Sequence, residues 1–441
     1  MTAATLLAVL EPLANSSTPI TLDTSVHSII PDDFILSDDH ATLHATLKDV
    51  LSHRLGYPRH EMSYGGKGFT VKDAARLLRD LQMTKELRTE FQYCNFGYMV
   101  IHEVINALTG RWIGDVMEES LFRPLGMENT FVNLSQALKI GDKLASGYAW
   151  DDLAQQMNHQ PWWETLLIGP GGVISSANDF TKYLQALVNG TLPLSAKSQR
   201  LLFEPLMIEG GPVLDHMSPS LYAMGWSVAW YRGHKFISHN GGLPGFTSLT
   251  GFLPDLGWGA VVLTNGDVPG SAASSTLFYR LLDDFLDVPL EDRLDTSGRW
   301  DNILRELQGK YKGRRGALFP DIPSPPISLT RPLEDYQGTY FHPAYKNITL
   351  RVASPSKHLP VAEETDVVLR AVWEKEWPVV IELEHVSGEH FVAWINLVVP
   401  GPIVREGGPA VFEVGPNGDV SKLGIEMEPA LGQMIWFSRQ D

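Results

Sequence analysis

The 441-residue sequence has a single cysteine, Cys94, which excludes an internal disulfide framework and any thiolate-rich metal site. No His-x-His-x-Asp or similar metal-binding run appears, so no metal and no cofactor is expected. No apolar run reaches the roughly 20 residues that a membrane-spanning helix needs. The apolar start lacks the basic leader of a secretory signal. Positive charge is scarce: 35 Lys and Arg against 52 Asp and Glu leave a net charge of −17, which argues against nucleic acid or an anionic membrane as a main partner. These absences predict a cytoplasmic protein with neither partner. What is present, 44% hydrophobic residues in a chain long enough for about two domains, is sufficient for a substantial core.

Apolar periodicity predicts helices over 2–11, 71–83, 96–109, 112–123, 177–188, 195–204 and 272–285. In the last of these Leu277, Leu281, Leu282 and Phe285 are expected to face a sheet. Strands are expected at 223–232, 235–239, 246–253 and 259–263, so helices flank an antiparallel sheet in an α/β (α+β) arrangement. A charged helix over 300–311 should close this first domain, 1–311. The stretch 312–332 reads as a linker, basic first and proline-rich after. From Leu333 to Asp441 the pattern is all-β, with strands at 336–341, 348–352, 367–372, 379–383, 390–395, 410–414 and 434–438.

Three stretches carry chemistry-bearing residues. The first is Glu90-Phe91-Gln92-Tyr93-Cys94-Asn95-Phe96-Gly97-Tyr98, where Tyr93 and Asn95, two apart in an extended segment, can face one cleft at the mouth of a buried helix. Taken alone it reads rather as a packed tyrosine beside a capping Asn95, and Cys94 reads as a buried spacer. The second is Ser238-His239-Asn240-Gly241-Gly242-Leu243-Pro244-Gly245, read as a strand running into a glycine turn that leaves N–H groups free to face a ligand. Its bland alternative is a structural histidine and an ordinary hairpin. The third is Gly169-Pro170-Gly171-Gly172, leading into a helix that Ser176 and Asp179 are spaced to cap as a box.

Together these stretches resemble the serine β-lactamase-like superfamily, in its class C β-lactamase, D,D-peptidase, esterase and acyltransferase branch. Tyr93-Cys94-Asn95 stands where that family has Tyr-x-Asn, and His239-Asn240-Gly241 where it has Lys-Thr-Gly or His-x-Gly. Leu51–Tyr57, Phe122–Thr130, the loop 169–172 and the strand Ala260–Asn265 follow in the family's order. The resemblance spans roughly 1–310. It implies a β-lactamase/transpeptidase-like antiparallel sheet flanked by helices. The C-terminal region, opening Tyr336-Gln337-Gly338 and closing Trp436-Phe437, resembles a lipocalin-like β-barrel.

The resemblance also implies roles. Tyr93 would be the general base or proton shuttle and His239 a second catalytic residue on the strand edge. Asn95, Asn240, Gly241 and Gly242 would hold the substrate, with Gly242 offering an oxyanion N–H. The family's nucleophile is the serine of Ser-x-x-Lys. The tetrapeptide Ser354-Pro355-Ser356-Lys357 is far downstream of its expected place, and the apolar segment from Met1 looks like the helix that follows the motif. The serine and lysine are therefore expected ahead of Met1. The expected function is acyl hydrolysis or acyl transfer on an ester, amide or lactam, with a small acyl or peptide-like substrate, in peptide or secondary-metabolite metabolism. The alternative is a non-catalytic pseudoenzyme or interaction protein that binds such a ligand.

Overall fold

The computed structural model describes residues 1–151, 156–296, 298, 301–302, 305–306, 313–356, 366–398 and 402–440. Most of the helix expected over 300–311, and Lys357 of the downstream tetrapeptide, lie outside the described residues. The chain divides into two compact units. Met1–Arg59, Thr70–Ala149 and His159–Ser297 form one; His60–Phe69, Trp150–Asn158 and Gly298–Asp441 form the other.

The first unit is built on a six-stranded antiparallel sheet. Its strands are β1 (Met207–Gly210), β2 (Ser220–Tyr222), β3 (Ser227–Tyr231), β4 (His234–Leu243), β5 (Phe246–Leu253) and β6 (Trp258–Thr264), hydrogen-bonded in sequence order. Its principal helices are α1 (Thr2–Leu13), α2 (Asn95–Thr109), α3 (Ala177–Asn189) and α4 (Val268–Phe285). The sheet is covered on both faces. A Cβ at Gly259 would meet Leu184 of α3, whereas one at Gly251 would meet Phe278 of α4. The two glycines belong to adjacent register pairs, which point to opposite sides. Burying α2 on nearly every side sequesters Phe96, Met99, Val100, Ile101, Val104 and Ile105, each worth roughly 1.5–3 kcal/mol. Gly110, at φ 65°, ends it by taking the left-handed position past its last turn.

Of the four α4 residues expected to face the sheet, Leu282 does, and Phe285 stacks on Trp258 of β6 with ring centroids 5.6 Å apart; Leu277 and Leu281 do not. Phe278 and Leu282 are fully buried against Phe236 and Leu253 of the sheet, while Leu277, Leu281 and Phe285 are 42–49% exposed. Residues four apart stack on one ridge, so those three form a single exposed line beside the buried one. The glycine turn also differs from expectation. β4 runs on through Gly241 and Gly242, which pair with Ser248 and Thr247, and the chain reverses only at Pro244-Gly245. Proline at the first corner and glycine at φ 84° at the second suit that reversal.

The second unit is a closed eight-stranded antiparallel barrel. Its strands are β7 (Gly338–His342), β8 (Lys346–Ala353), β9 (Val368–Trp373), β10 (Val379–Ser387), β11 (His390–Val398), β12 (Pro402–Val414), β13 (Val420–Ile425) and β14 (Ile435–Gln440). It closes where Ser438 pairs with Phe341. Strand β13 is absent from the seven expected. Lys422 and Gly424 interrupt its apolar pattern, and the Trp436 ring covers the glycine from the next strand. Buried Tyr340, Ile348, Leu350, Ile381, Leu383, Phe391, Phe412 and Phe437 alternate along the strands and supply the interior core, as expected for a barrel of eight. On the outer face Leu318, Phe319 and Ile322, from the stretch read as linker, pack on Val386, Val392 and Trp394. Among the described residues no helix is long and apolar enough to cross a membrane.

Gly245 should tolerate no side chain. Its φ is left-handed, and a Cβ would lie 2.9 Å from the Gln160 Cβ and 3.1 Å from the Gly147 Cα. Gly245→Ala should cost about 1–3 kcal/mol in chemical denaturation. Gly242→Ala, with nothing within 4 Å of its Cβ, should leave stability near wild type. Equal stabilities for the two variants would contradict this assignment of the turn.

Candidate active site

Placement of Tyr93 begins with a buried acid. The short helix Leu47–Leu51 starts at Thr46, which with Asp49 forms a reciprocal capping box. The Asp49 carboxylate is fully buried and takes Arg54 Nε at 2.7 Å and Arg88 Nη2 at 2.7 Å. These charge-assisted bonds hold its carboxyl below the usual carboxylate range against the opposing effect of burial. The helix leads into His53, at φ 54°. His53 then organises the next segment: its carbonyl accepts from the Gln92 N–H (2.9 Å) and its Nδ1 from the Cys94 N–H (3.2 Å). Tyr93 lies between those two donors.

Around His53 gather Tyr93, Tyr98, Tyr222 and Phe91, with ring centroids 4.2, 5.2, 5.1 and 5.8 Å away. Burial is the chief force pushing the His53 pKa down to about 3, with His239 and Arg59 adding to it. The Tyr98 hydroxyl donates to the Leu51 carbonyl at 2.9 Å, and burial raises its pKa. Tyr93 itself is half-buried, and the guanidinium carbon of Arg59 sits 5.1 Å from its ring centroid, in cation–π range.

His239 arrives from β4. Register pairs Tyr222 with Ser227 and Ser227 with Ser238, so β2 and β4 stand two strands apart in one row. His239 stands in the next row, and at the end of β2 the Tyr222 hydroxyl comes within 3.2 Å of its Nε2. His239 Nδ1 is 2.6 Å from the Asn240 carbonyl, which can only accept, so Nδ1 carries a hydrogen. Tyr93 and His239 meet with ring centroids 6.3 Å apart.

Asn95 is half-buried in the first turn of α2; the cap position belongs to buried Cys94, whose Sγ lies 3.9 Å from the Arg59 carbonyl oxygen. Asn240, Gly241 and Gly242 are exposed on the same strand as His239. The loop 169–172 packs so tightly on α2 that a Cβ at Gly169 would be 2.2 Å from the Tyr98 carbonyl oxygen. Thr2, at the start of α1, donates its hydroxyl to the Gly169 carbonyl (2.5 Å), bringing α1, this loop and α2 to one place.

The capping box expected at Ser176 is only half made. Ser176 accepts from the Asp179 N–H, but the Asp179 carboxylate turns away to the Asn129 N–H (2.6 Å) and the Thr130 hydroxyl (3.1 Å). It thereby fastens the Phe122–Thr130 stretch to α3. Sequence reading does not single out His53, Arg59, Tyr98 or Tyr222 as site residues. Tyr98 and His53 stand inside motif-bearing segments; Tyr222 has no local signal at all. Among the described residues no group of three or more His, Cys, Asp or Glu is arranged to hold a metal.

Residues 1–284 match the beta-lactamase family model. Over 426 residues the chain is 32% identical to an unguisins hydrolase of Aspergillus campestris, spanning 95% of this chain and 77% of that protein. Over 337 residues it is 27% identical to penicillin-binding protein 4 of Amycolatopsis lactamdurans, spanning 72% and 77%. Among solved structures the fold is similar to that of the octameric penicillin-binding protein homologue from Pyrococcus abyssi, with a TM-score of 0.55 over 99% of this chain and 86% of that one. At 17% identity that likeness concerns the fold alone.

Two buried histidines should make the protein acid-sensitive. Burial lowers His53 to about 3 and His102 to about 4, from 6.5 in the unfolded chain. The unfolded state therefore binds protons that the native state refuses. Stability should be full above pH 6.5 and fall as pH drops toward those lower values, by up to about 1.4 kcal/mol per pH unit for each residue. Thermal unfolding between pH 7 and 5 should show the decline. His53→Asn, which suits the left-handed backbone, should make the decline shallower. An unchanged slope would mean that His53 is not buried neutral.

Proposed function

The chain belongs to the beta-lactamase family, and on that premise we propose that the cleft around Tyr93 and His239 is the proton-transfer and substrate-holding part of a serine acyl hydrolase. The observation that carries this reading is the convergence of Tyr93 and His239, from distant parts of the sequence, to a centroid separation of 6.3 Å with the Arg59 cation on the tyrosine ring. In the family's chemistry the serine hydroxyl of a Ser-x-x-Lys motif would attack the carbonyl carbon of an ester, amide or lactam. Its proton would pass through the lysine of the same motif and Tyr93, the carbonyl C–O or C–N bond would break, and the leaving group would take up that proton. Water, repeating the cycle, would release the acid and restore the serine.

In this scheme Arg59 stabilises negative charge developing near Tyr93. Asn95 and Asn240 orient the substrate, and the side-chain-free edge at Gly241 and Gly242 lets its carbonyl approach the backbone. Hydrolysis is favoured over transfer to another acceptor by the likeness to the Aspergillus unguisins hydrolase, which extends along 95% of this chain. Unguisins are accordingly the first substrates to test.

The decisive comparison uses two chains, this one and one extended by joining a Ser-x-x-Lys segment ahead of Met1. Each is incubated with a fluorophosphonate, nitrocefin and p-nitrophenyl butyrate, then weighed intact. The extended chain should be labelled once, at that serine, and turn over at least one of the two chromogenic substrates; the shorter should stay unlabelled. Stoichiometric labelling of the shorter chain would locate the nucleophile elsewhere, and no labelling of either would leave a ligand-binding protein. In the extended chain Tyr93→Phe should lower kcat roughly 100-fold or more, the size of a general acid–base contribution. Wild-type turnover by that variant would remove Tyr93 from the mechanism.

A further inference from the structure

The hydrogen bonds of His239 restrict how that residue can serve the site. Its Nδ1 faces the Asn240 carbonyl at 2.6 Å, so the proton of the neutral ring is on Nδ1 and the lone pair is on Nε2. That lone pair is met at 3.2 Å by the Tyr222 hydroxyl. Tyr222 is 1% exposed, and burial raises its pKa well above the ordinary value, so its hydroxyl keeps a proton to donate at any working pH. Its place is set by the short strand β2 and by rings on two sides, Phe91 at 4.9 Å and His53 at 5.1 Å.

We propose that Tyr222 is a positioning residue that reserves Nε2 of His239, so that His239 serves the site as a fixed, uncharged ring with no free nitrogen for the substrate. This inference rests on the reading of the cleft as an acyl-hydrolase site but concerns a residue which that reading did not use. It divides the labour between the two convergent residues. Tyr93, half-buried beside Arg59, is left to exchange a proton, while both nitrogens of His239 are engaged by partners other than Tyr93.

The surroundings agree. The groups that face His239 are Tyr93 and Tyr222, with the buried His53 ring and, in a chain that begins at Met1, its amine acting through space; Arg59 acts in turn on His53, and Glu209 and Tyr98 on Tyr222. Burial is the largest influence on His239 itself and lowers its pKa, offset in part by the Asn240 carbonyl. A proton on Nε2 would force the Tyr222 hydroxyl to stop donating and turn about to accept. The neutral ring needs no such rearrangement.

The test reads the ring directly. In protein labelled with 15N-histidine, two-bond 15N–1H spectra should give His239 the Nδ1–H pattern at pH 7, with a hydrogen-bonded Nε2. Tyr222→Phe keeps the ring that packs on Phe91 and His53 but removes the donor. In that variant the Nε2 resonance should move to the position of an unbonded nitrogen, and the midpoint of the His239 titration should rise toward 6.5, the value of an ordinary histidine. Tyr98→Phe removes a hydroxyl that bonds the Leu51 carbonyl and also the Tyr222 hydroxyl; because Tyr222 itself stays in place, this variant should leave Nδ1 as the protonated nitrogen. An Nε2–H pattern in the wild type, or a titration unchanged in Tyr222→Phe, would overturn the proposal. Because the spectra need no turnover, they answer even if the labelling experiment finds no hydrolase.

Discussion

The Cys94 N–H donates to Nδ1 of His53 and the Gln92 N–H to the carbonyl of the same residue, so one buried left-handed position holds the extended segment that carries Tyr93. The rest of the candidate site depends on this constraint. His53 can accept at Nδ1 only while uncharged, and burial keeps it so. Its position in turn depends on Asp49, a buried carboxylate matched by two guanidinium groups, and removing either kind of partner would leave an uncompensated charge close to the site. A charged network thus supports an uncharged one, and the uncharged one aims the tyrosine.

The rigid parts of the first unit meet at this point. The start of α1, the glycine loop at 169–172 and the first turns of α2 are joined by the Thr2 hydroxyl and by a backbone approach that only glycine permits at position 169. The strand carrying His239 comes out of a sheet covered on both faces. A site assembled from such elements is held more firmly than one built on loops. The barrel follows a different logic: its interior is filled by Tyr340, Phe391, Phe412, Phe437 and aliphatic neighbours. At one end the His60 N–H donates to Glu428 and its ring meets the Tyr345 hydroxyl at 2.8 Å, fastening the His60–Phe69 segment. A barrel packed in this way suits a scaffold.

Much of the fold was legible in the residues. Helical spacing from Phe96 to Leu108 foretold α2, and the strand Phe246–Leu253 falls where alternation and turn residues put it. The errors have specific physical causes. Gly241 and Gly242 look like a turn because glycine favours turns, yet their strand partners Ser248 and Thr247 lie beyond a second, better turn at Pro244-Gly245. Strand β13 is hidden in the sequence because a glycine breaks its pattern, and only the neighbouring Trp436 compensates for the missing side chain. On α4, two adjacent apolar ridges compete for the sheet. Sequence spacing alone does not say that Phe278 and Leu282 win over Leu277 and Leu281.

Tyr93, Asn95, His239 and the glycines could be picked out from sequence because each sits in a short motif whose residue types suggest chemistry. The amino-acid order by itself determined the family, the antiparallel sheet between helices and the β-rich C-terminal region, since periodicity and turn chemistry are local properties. Tertiary structure alone decided that Tyr222 takes the free nitrogen of His239, that Arg59 lies on the ring of Tyr93 and that His53 stays uncharged among aromatic rings. Those outcomes depend on which side chains meet across strands and on how much water is excluded where they meet. Neither quantity exists until the chain has folded.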